Sequence, residues 1–318
     1  MDRSQIYIFI GHDLEYYNGL YNRYKYNITI LYNSMIIRFF SSFCDTAECK
    51  KIYERICEVH KMPNYGPDKS FYITTGDDYT HVIILNNAMP QLKPGIPKSN
   101  VIGLAHEPLA FLGLTPQFIE YARKYIHTYY IGEKGNLPEP FVEQHGYIWH
   151  ITPLVTLPST KHNLMSIMIS QKGFAPGHRY RHVLVQHILR TNLPIDIYGR
   201  GCRYYDIRDS RLKGDFTEKE PYESYQFHIC IENFQTPRYF SEKITNTLLC
   251  GTTPIYLGAK HIDEYFPHMV YGLTGNVQED MRFLTEVVEN PNAFRKSIDV
   301  SAVKCKINLF ENIRDVFP

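Results

Sequence analysis

The sequence of 318 residues lacks any apolar run of the ~20 residues that would span a bilayer, and its first apolar stretch is too short for a secretory signal. It also has almost no net charge, because 34 basic residues balance 33 acidic ones. A chain without a surplus of Lys and Arg is not expected to bind nucleic acid or anionic membranes electrostatically. These absences predict a cytoplasmic protein with no membrane insertion and no nucleic-acid partner.

Several cofactor motifs are also missing. Neither Gly-x-Gly-x-x-Gly nor a Walker motif follows a predicted strand, which argues against dinucleotide binding and ATP hydrolysis. No Asp-x-Asp follows a strand in the second half, and the seven cysteines show no pairing pattern of a secreted scaffold. We expect reduced cysteines and no essential metal or other cofactor, with stimulation by a divalent ion left open.

Short β-rich runs alternate with helix-like segments along the whole chain, an alternation typical of α/β proteins. In the first half the predicted strands are 6–10, 35–40, 71–75, 81–85 and 101–105, with helices at 47–60 and 116–125. In the second half the predicted strands are 164–170, 195–199, 227–232 and 254–258, with helices at 177–190 and from Ser241.

The polar stretch 152–163, which contains two prolines, is the predicted linker between these halves. The chain is long enough for two domains, each with its own core. We therefore predict an N-terminal domain at 1–155 and a C-terminal domain at 163–318, both α/β, facing each other across a cleft.

FHICIEN, residues 227–233, is an apolar strand that ends in Glu232 and Asn233. Open α/β sheets bind ligands at the carboxyl ends of their strands. After a short loop, Ser241 caps a helix that carries Glu242 and Lys243 in its first turn. Free N–H groups, the helix dipole and the lysine together predict an anion site there, with phosphate as the favoured anion.

A second strand, loop and helix upstream repeat this arrangement, with Arg179 in the first helical turn. We place the apolar stripe of that helix at 180, 183, 184, 187 and 188, which leaves Arg179 off the stripe and near the loop. A guanidinium there can bind two phosphate oxygens at once, whereas Arg181 and Arg190 are interpreted as solvated charges. Arg179 and Lys243 together suit a diphosphate, although each residue taken alone is more often a surface charge than a ligand.

The stretch FHICIENFQTPRYFSEKITNTLLCGTTPIYLGA resembles the signature of the α1,3/4-fucosyltransferases, glycosyltransferase family 10. IEN, YFSEK and GTTPIYLG match that signature in order and spacing. Upstream, RYRHVLVQHILRTNLPIDIYGRG resembles the arginine-led helix and following strand of the family. The resemblance covers about residues 164–270, and it departs from the family at Ile231 and at Phe240-Ser241, where Phe and Val-Thr are usual.

The resemblance implies a GT-B fold of two Rossmann-like domains, in which the C-terminal domain binds the donor GDP-fucose and the N-terminal domain binds an acceptor glycan. The donor-binding residues that it implies are Arg179, Glu232, Asn233, Tyr239, Glu242 and Lys243. Arg179 and Lys243 would hold the diphosphate, Tyr239 and Glu242 the ribose or the fucosyl group, while the other two would shape the pocket.

VIGLAHEPLAF resembles the strand and turn where the family keeps its catalytic carboxylate, which implies Glu107 as the general base of a one-step inverting transfer. His106, Glu139 and Glu143 are weaker candidates. Three alternatives stay open: a transferase that uses another GDP-hexose, a non-catalytic binder of sugar nucleotides or glycans, and a structural protein in which the motifs are relics.

Overall fold

The computed structural model describes residues 35–59, 71–147, 160–217 and 219–318. The strand predicted at 6–10 lies outside these ranges, as does most of the linker predicted at 152–163. Within them, the strands form two parallel sheets of six strands each, which confirms the α/β class. No helix in the described ranges is both long enough and apolar enough to cross a membrane.

The first sheet is built from short strands rich in β-branched and aromatic residues, and its central strands β3 and β4 are nearly fully buried, as expected for strands covered on both faces. Its strands are β1 (Met35–Ser41), β2 (Phe71–Ile73), β3 (His81–Leu85), β4 (Val101–Leu104), β5 (Thr128–Ile131) and β6 (Phe141–Glu143). They lie in the order β2-β1-β3-β4-β5-β6. The helices of this half are α1 (Thr46–Val59), α2 (Leu109–Leu112) and α3 (Pro116–Tyr125).

The second sheet has the strand order of a doubly wound nucleotide-binding domain. Its strands are β7 (Asn163–Met168), β8 (Ile195–Tyr198), β9 (Leu212–Gly214), β10 (Tyr225–Ile231), β11 (Thr253–Leu257) and β12 (Tyr271–Gly272), in the order β12-β11-β10-β7-β8-β9. The order reverses between β7 and β10. Ligands of such sheets bind where the loops after these two strands diverge.

Six helices belong to this second half of the chain. They are α4 (Pro176–Leu189), α5 (Glu242–Leu249), α6 (Val277–Glu289), α7 (Pro291–Phe294), α8 (Val300–Ile307) and α9 (Ile313–Val316). Ser241 caps α5 by accepting a hydrogen bond from Lys243 N. Asn276 caps α6 by accepting hydrogen bonds from the N–H groups of residues 278 and 279. The Ser241 cap confirms the helix start predicted there from the sequence.

The last residues of the chain return to the first sheet. Phe310 stacks on Phe71 with the ring centroids 4.8 Å apart, and it meets Tyr53 edge-on at 5.2 Å. Residues 309–317 thus complete the core beneath β1 and β2. The domain limits 1–155 and 163–318 stay a prediction, and this packing adds a contact between the end of the second segment and the core of the first.

Candidate active site

A buried carboxylate organises the start of α5. Glu232 directly follows β10, and its side chain has no exposed area. Its Oε1 accepts hydrogen bonds from Ser241 N at 2.8 Å and Ser241 Oγ at 3.0 Å, while Oε2 lies 2.8 Å from Ser241 Oγ. Lys243 Nζ lies 3.5 Å from Oε2 and donates to Ser241 Oγ at 2.9 Å. The carboxylate therefore ties the strand end to the helix cap and to the lysine.

Two glycines leave the space that this arrangement needs. A Cβ on Gly258 would lie 2.5 Å from Glu232 Cγ, and a Cβ on Gly177 would lie 1.8 Å from the Glu232 carbonyl oxygen. Gly177 N also donates to the Asn233 carbonyl oxygen at 3.0 Å. The first turn of α4 thus lies directly against the strand end.

Arg181 is buried in this contact, so its interpretation as a solvated charge is wrong. It is 6% exposed. Its Nη2 donates to Asn233 Oδ1 at 2.5 Å, and its Nε donates to the Gly177 carbonyl at 3.2 Å. Burial lowers the pKa of the guanidinium, Glu232 and Glu242 oppose that shift, and an arginine stays charged in any case. Arg190, by contrast, is exposed as expected.

Arg181 was interpreted wrongly because the sequence analysis placed the buried stripe of α4 on the wrong face of the helix. The buried residues of α4 include Gly177, Arg181, Leu184, Val185 and Ile188, at spacings of four, three, one and three. The stripe predicted from the sequence was centred one residue away, on positions that include the exposed Val183. The correct helical spacing runs through Gly177 and Arg181, which are not apolar, and this is why a search for apolar residues missed it.

Arg179 points away from Lys243. It is exposed, and its Nη1 donates to the carbonyls of Phe174 at 2.8 Å and Gly173 at 3.3 Å in the loop before α4. It lines a cavity of about 580 Å³ together with Phe234 and Gln235. The structure thus brings Arg181, and not Arg179, to the lysine.

A separate cavity of about 440 Å³ opens at the point where the strand order reverses. Its charged lining residues are Lys172, Arg181, Arg200, Glu242 and Lys243, and its other lining residues come from the ends of β7 and β8 and from Phe216. Burial alone would lower the pKa of Lys243, but Glu242 and Glu232 raise it, and the net shift is upward. The lysine is therefore protonated at neutral pH. Four cations against one lining carboxylate make this cavity an anion site.

Glu107 extends from the first domain toward that cavity. It lies three residues beyond the end of β4 and is half-buried. Desolvation raises the pKa of its carboxyl, Lys243 and Lys172 lower it, and Glu242 raises it. These partners place the carboxylate within electrostatic range of the cavity across the domain boundary. A carboxylate with a raised pKa is the kind that serves as a general base near neutral pH.

Tyr239 lies where the two domains touch. It is 7% exposed, and its backbone packs so closely on Gly132 that a Cβ there would lie 2.5 Å from Tyr239 Cα. Arg238 N donates to the Gly132 carbonyl at 2.8 Å, and the Arg238 guanidinium lies 3.7 Å from Glu143 of the first domain. The loop that leads into α5 is therefore held by the first domain.

The weaker candidates for a base are occupied elsewhere or lie outside the cavity. Glu143 Oε2 accepts from Lys134 N at 3.2 Å, and Glu139 is an exposed partner of the same lysine at 3.5 Å. His106 lines a small cavity of about 20 Å³ with Tyr239 and Phe240. In the described ranges, no group of three or more His, Cys, Asp or Glu side chains is placed to hold a metal ion.

Comparison with known protein families identifies the second half of the chain. The model of the family described as "Glycosyltransferase family 10 (fucosyltransferase) C-term" matches residues 158–296. Residues 158–296 are thus similar to the C-terminal domain of this fucosyltransferase family. The region that matches the family 10 model, for short the family 10 domain, contains β7 to β12 and α4 to α7, together with every residue that lines the anion cavity.

Two curated relatives illustrate the similarity. The chain is 31% identical over 126 residues to alpha-(1,3)-fucosyltransferase B of Drosophila melanogaster, a match that covers 38% of this chain and 28% of that protein. It is 26% identical over 145 residues to a fucosyltransferase-like protein of Arabidopsis thaliana, covering 44% of this chain and 26% of the relative. The chain therefore spans about a quarter of the length of each relative.

Solved structures share the fold over most of the chain. An alpha1,3-fucosyltransferase with GDP-fucose superposes with a TM-score of 0.50 at 14% identity, covering 89% of this chain and 90% of that one. HepE of Anabaena in complex with UDP superposes with a TM-score of 0.53 at 11% identity, covering 88% and 98%. The family 10 domain and the N-terminal sheet together therefore form the two-domain GT-B fold that the sequence resemblance implied.

Proposed function

We propose that the protein is a fucosyltransferase that moves L-fucose from GDP-fucose to a hydroxyl of an acceptor glycan. The observation that carries this proposal is the cavity lined by Arg181 and Lys243 inside the family 10 domain. Its excess of cations suits a nucleoside diphosphate, and the relatives that share this domain include a protein named an alpha-(1,3)-fucosyltransferase.

In this proposal, Arg181 and Lys243 hold the diphosphate, and Tyr239 and Glu242 keep the contact to the ribose or the fucosyl group that the sequence resemblance implies. As the bond from the anomeric carbon to the diphosphate breaks, negative charge grows on the leaving phosphate oxygen. The guanidinium, the ammonium and the N–H groups at the start of α5 stabilise that charge. In this proposal Arg181 binds the diphosphate, which is the role that the sequence resemblance assigned to Arg179.

Glu107 is the proposed general base. It removes the proton from the acceptor hydroxyl while the hydroxyl oxygen forms its bond to the anomeric carbon, and the bond to GDP breaks on the opposite face. One displacement inverts the configuration at that carbon. Because Lys243 and Arg181 supply the positive charge, no metal ion is needed, and saturating chelator should leave turnover intact.

The experiment is a transfer assay with GDP-fucose, GDP-mannose and UDP-glucose, each offered with a panel of oligosaccharide acceptors in the presence of chelator. We expect a fucosylated product of inverted configuration and stoichiometric release of GDP. Binding of GDP-fucose without product from any acceptor would support the non-catalytic alternative. Transfer from GDP-mannose in preference to GDP-fucose would assign the other GDP-hexose.

A further inference from the structure

The carboxylate of Glu232 is the most enclosed charged group at the site. Its side chain has no exposed area, and both of its oxygens accept hydrogen bonds from Ser241. A ligand in the 440 Å³ cavity therefore has no access to these oxygens. Any influence of Glu232 on such a ligand passes through the groups that it contacts, which are Ser241 and Lys243.

The position of this carboxylate is fixed from both sides. Gly258 and Gly177 each offer only hydrogen atoms where a Cβ would overlap Glu232, at 2.5 Å from its Cγ and 1.8 Å from its carbonyl oxygen. Its own N–H donates to the Leu257 carbonyl at 2.8 Å. A side chain held this firmly can orient its partners without rearrangement of its own.

Lys243 depends on its surroundings to stay charged. The titratable and charged groups around it are Glu232 and Cys230 at the end of β10, Glu242 on α5, Arg181 and His178 on α4, Glu107 from the first domain, and Lys172 and Arg200, which line the same cavity. Burial and Arg181 disfavour its ammonium form, whereas Glu242 and Glu232 favour it. Removing Glu232 leaves burial and Arg181 opposed by Glu242, whose side chain is partly exposed.

We propose that Glu232 is a positioning residue that holds Lys243 in place and in its ammonium form for the donor diphosphate, without touching the donor. This inference rests on the proposed function, because it requires the diphosphate to lie against Lys243. It specifies the pocket-shaping role that the sequence resemblance implied for Glu232. Ser241 completes the arrangement, since its hydroxyl donates to Glu232 and accepts from the lysine.

The test measures GDP affinity by calorimetry between about pH 6.5 and pH 9 for the wild type, Glu232→Gln, Lys243→Arg and the double variant. The ratio of the dissociation constant of Glu232→Gln to that of the wild type cancels the titration of GDP itself. We expect this ratio to rise with pH at the alkaline end of the range, because loss of the Glu232 charge lowers the pKa of Lys243 and a neutral amine does not attract the diphosphate. The dissociation constant of the double variant divided by that of Lys243→Arg should not change with pH, since a guanidinium does not deprotonate.

Asp280→Asn is the matched control. Asp280 is also a buried carboxylate of the same domain, 1% exposed, and it accepts hydrogen bonds from Thr274 and Gly275 away from the donor cavity. This variant should lose stability but show a flat ratio across pH. A flat ratio for Glu232→Gln as well, even with weaker binding, would show that Glu232 has only a structural role and would overturn the inference.

A direct measurement covers the case in which Glu232→Gln does not fold. The ¹³Cε resonance of Lys243 in the wild type should titrate above the ordinary value of 10.5 for lysine, and in Glu232→Asp, which keeps the charge but shortens its reach, it should titrate lower. Equal titration in the two proteins would contradict the inference. Failure of wild-type protein to bind GDP at all would instead contradict the proposed function, so the two failures are distinguishable.

Discussion

At the scale of single residues, the site depends on which of two neighbouring arginines faces the lysine. Arg181 is buried, reaches Asn233 and lines the cavity with Lys243, whereas Arg179 binds loop carbonyls at the surface. The two arginines lie only two residues apart on the same helix, α4. Their difference in burial is what separates a ligand-binding cation from a loop contact.

Arg181→Ala should therefore weaken GDP binding by about 1.5–3 kcal/mol, roughly 10- to 150-fold, the range for a lost hydrogen bond to a charged group. Arg179→Ala is its matched control and should change the affinity by no more than about twofold, because exposed ionic contacts contribute little. Calorimetry with each variant gives the comparison. A larger loss of GDP affinity in Arg179→Ala than in Arg181→Ala would show that Arg179, and not Arg181, holds the diphosphate.

Glu107 combines a proposed catalytic role with an unfavourable environment. Glu107→Gln should cut transfer by about 10²- to 10⁴-fold, the usual contribution of a general base, and leave GDP affinity unchanged. Full activity in this variant would place the base elsewhere.

The same substitution should raise stability at neutral pH. Because burial raises the folded-state pKa above 4.5, the folded protein binds a proton more tightly than the unfolded chain, so the ionised form destabilises the fold as pH rises through that interval. Thermal unfolding should show the gain of Glu107→Gln at pH 7 and its disappearance below about pH 4.5. A gain that is independent of pH would contradict the raised pKa.

At the scale of elements, α4 and the end of β10 are joined by close backbone contact. Gly177→Ala would place a Cβ 1.8 Å from the Glu232 carbonyl oxygen, and neither backbone can move without shifting Arg181 or Ser241. We expect a loss of about 1–3 kcal/mol or more in the free energy of unfolding, as for overpacked cores. Gly173→Ala, in the loop before the same helix, meets no atom within 4 Å and should be neutral. Equal stability of the two variants in denaturant would contradict this contact.

Elements with local signals were predictable from the sequence, and those that depend on distant contacts were not. The cap at Ser241 could be predicted because a cap depends only on the next three residues, and α3 was predicted at its observed limits. The burial of Arg181 was missed because its partner Asn233 lies 52 residues along the chain. The strands β5, β6, β9 and β12, of two to four residues, were not predicted, although β2, β4 and β8 of similar length were.

At the scale of the whole molecule, the C-terminal segment links the two cores. Phe310→Ala should destabilise the protein by about 3–5 kcal/mol, the usual effect of emptying a buried aromatic site. Hydrogen exchange should show the loss of protection in β1 and β2, because Phe310 packs on Phe71 and Tyr53. Phe266→Ala, equally buried in the second domain, should affect exchange there first. Uniform loss in both variants would mean that the two cores unfold as one unit.

The central claim is that the cavity at the reversal of the second sheet binds a guanosine diphosphate sugar. Solved structures with the same fold include a complex with GDP-fucose and one with UDP, so the fold alone does not decide which nucleotide the cavity binds. The most direct measurement is calorimetric titration of the wild-type protein with GDP and with UDP in chelator. We predict saturable binding of GDP that is at least about tenfold tighter than that of UDP, a difference of about 1.4 kcal/mol. Tighter binding of UDP, or no binding of either nucleotide, would contradict the account.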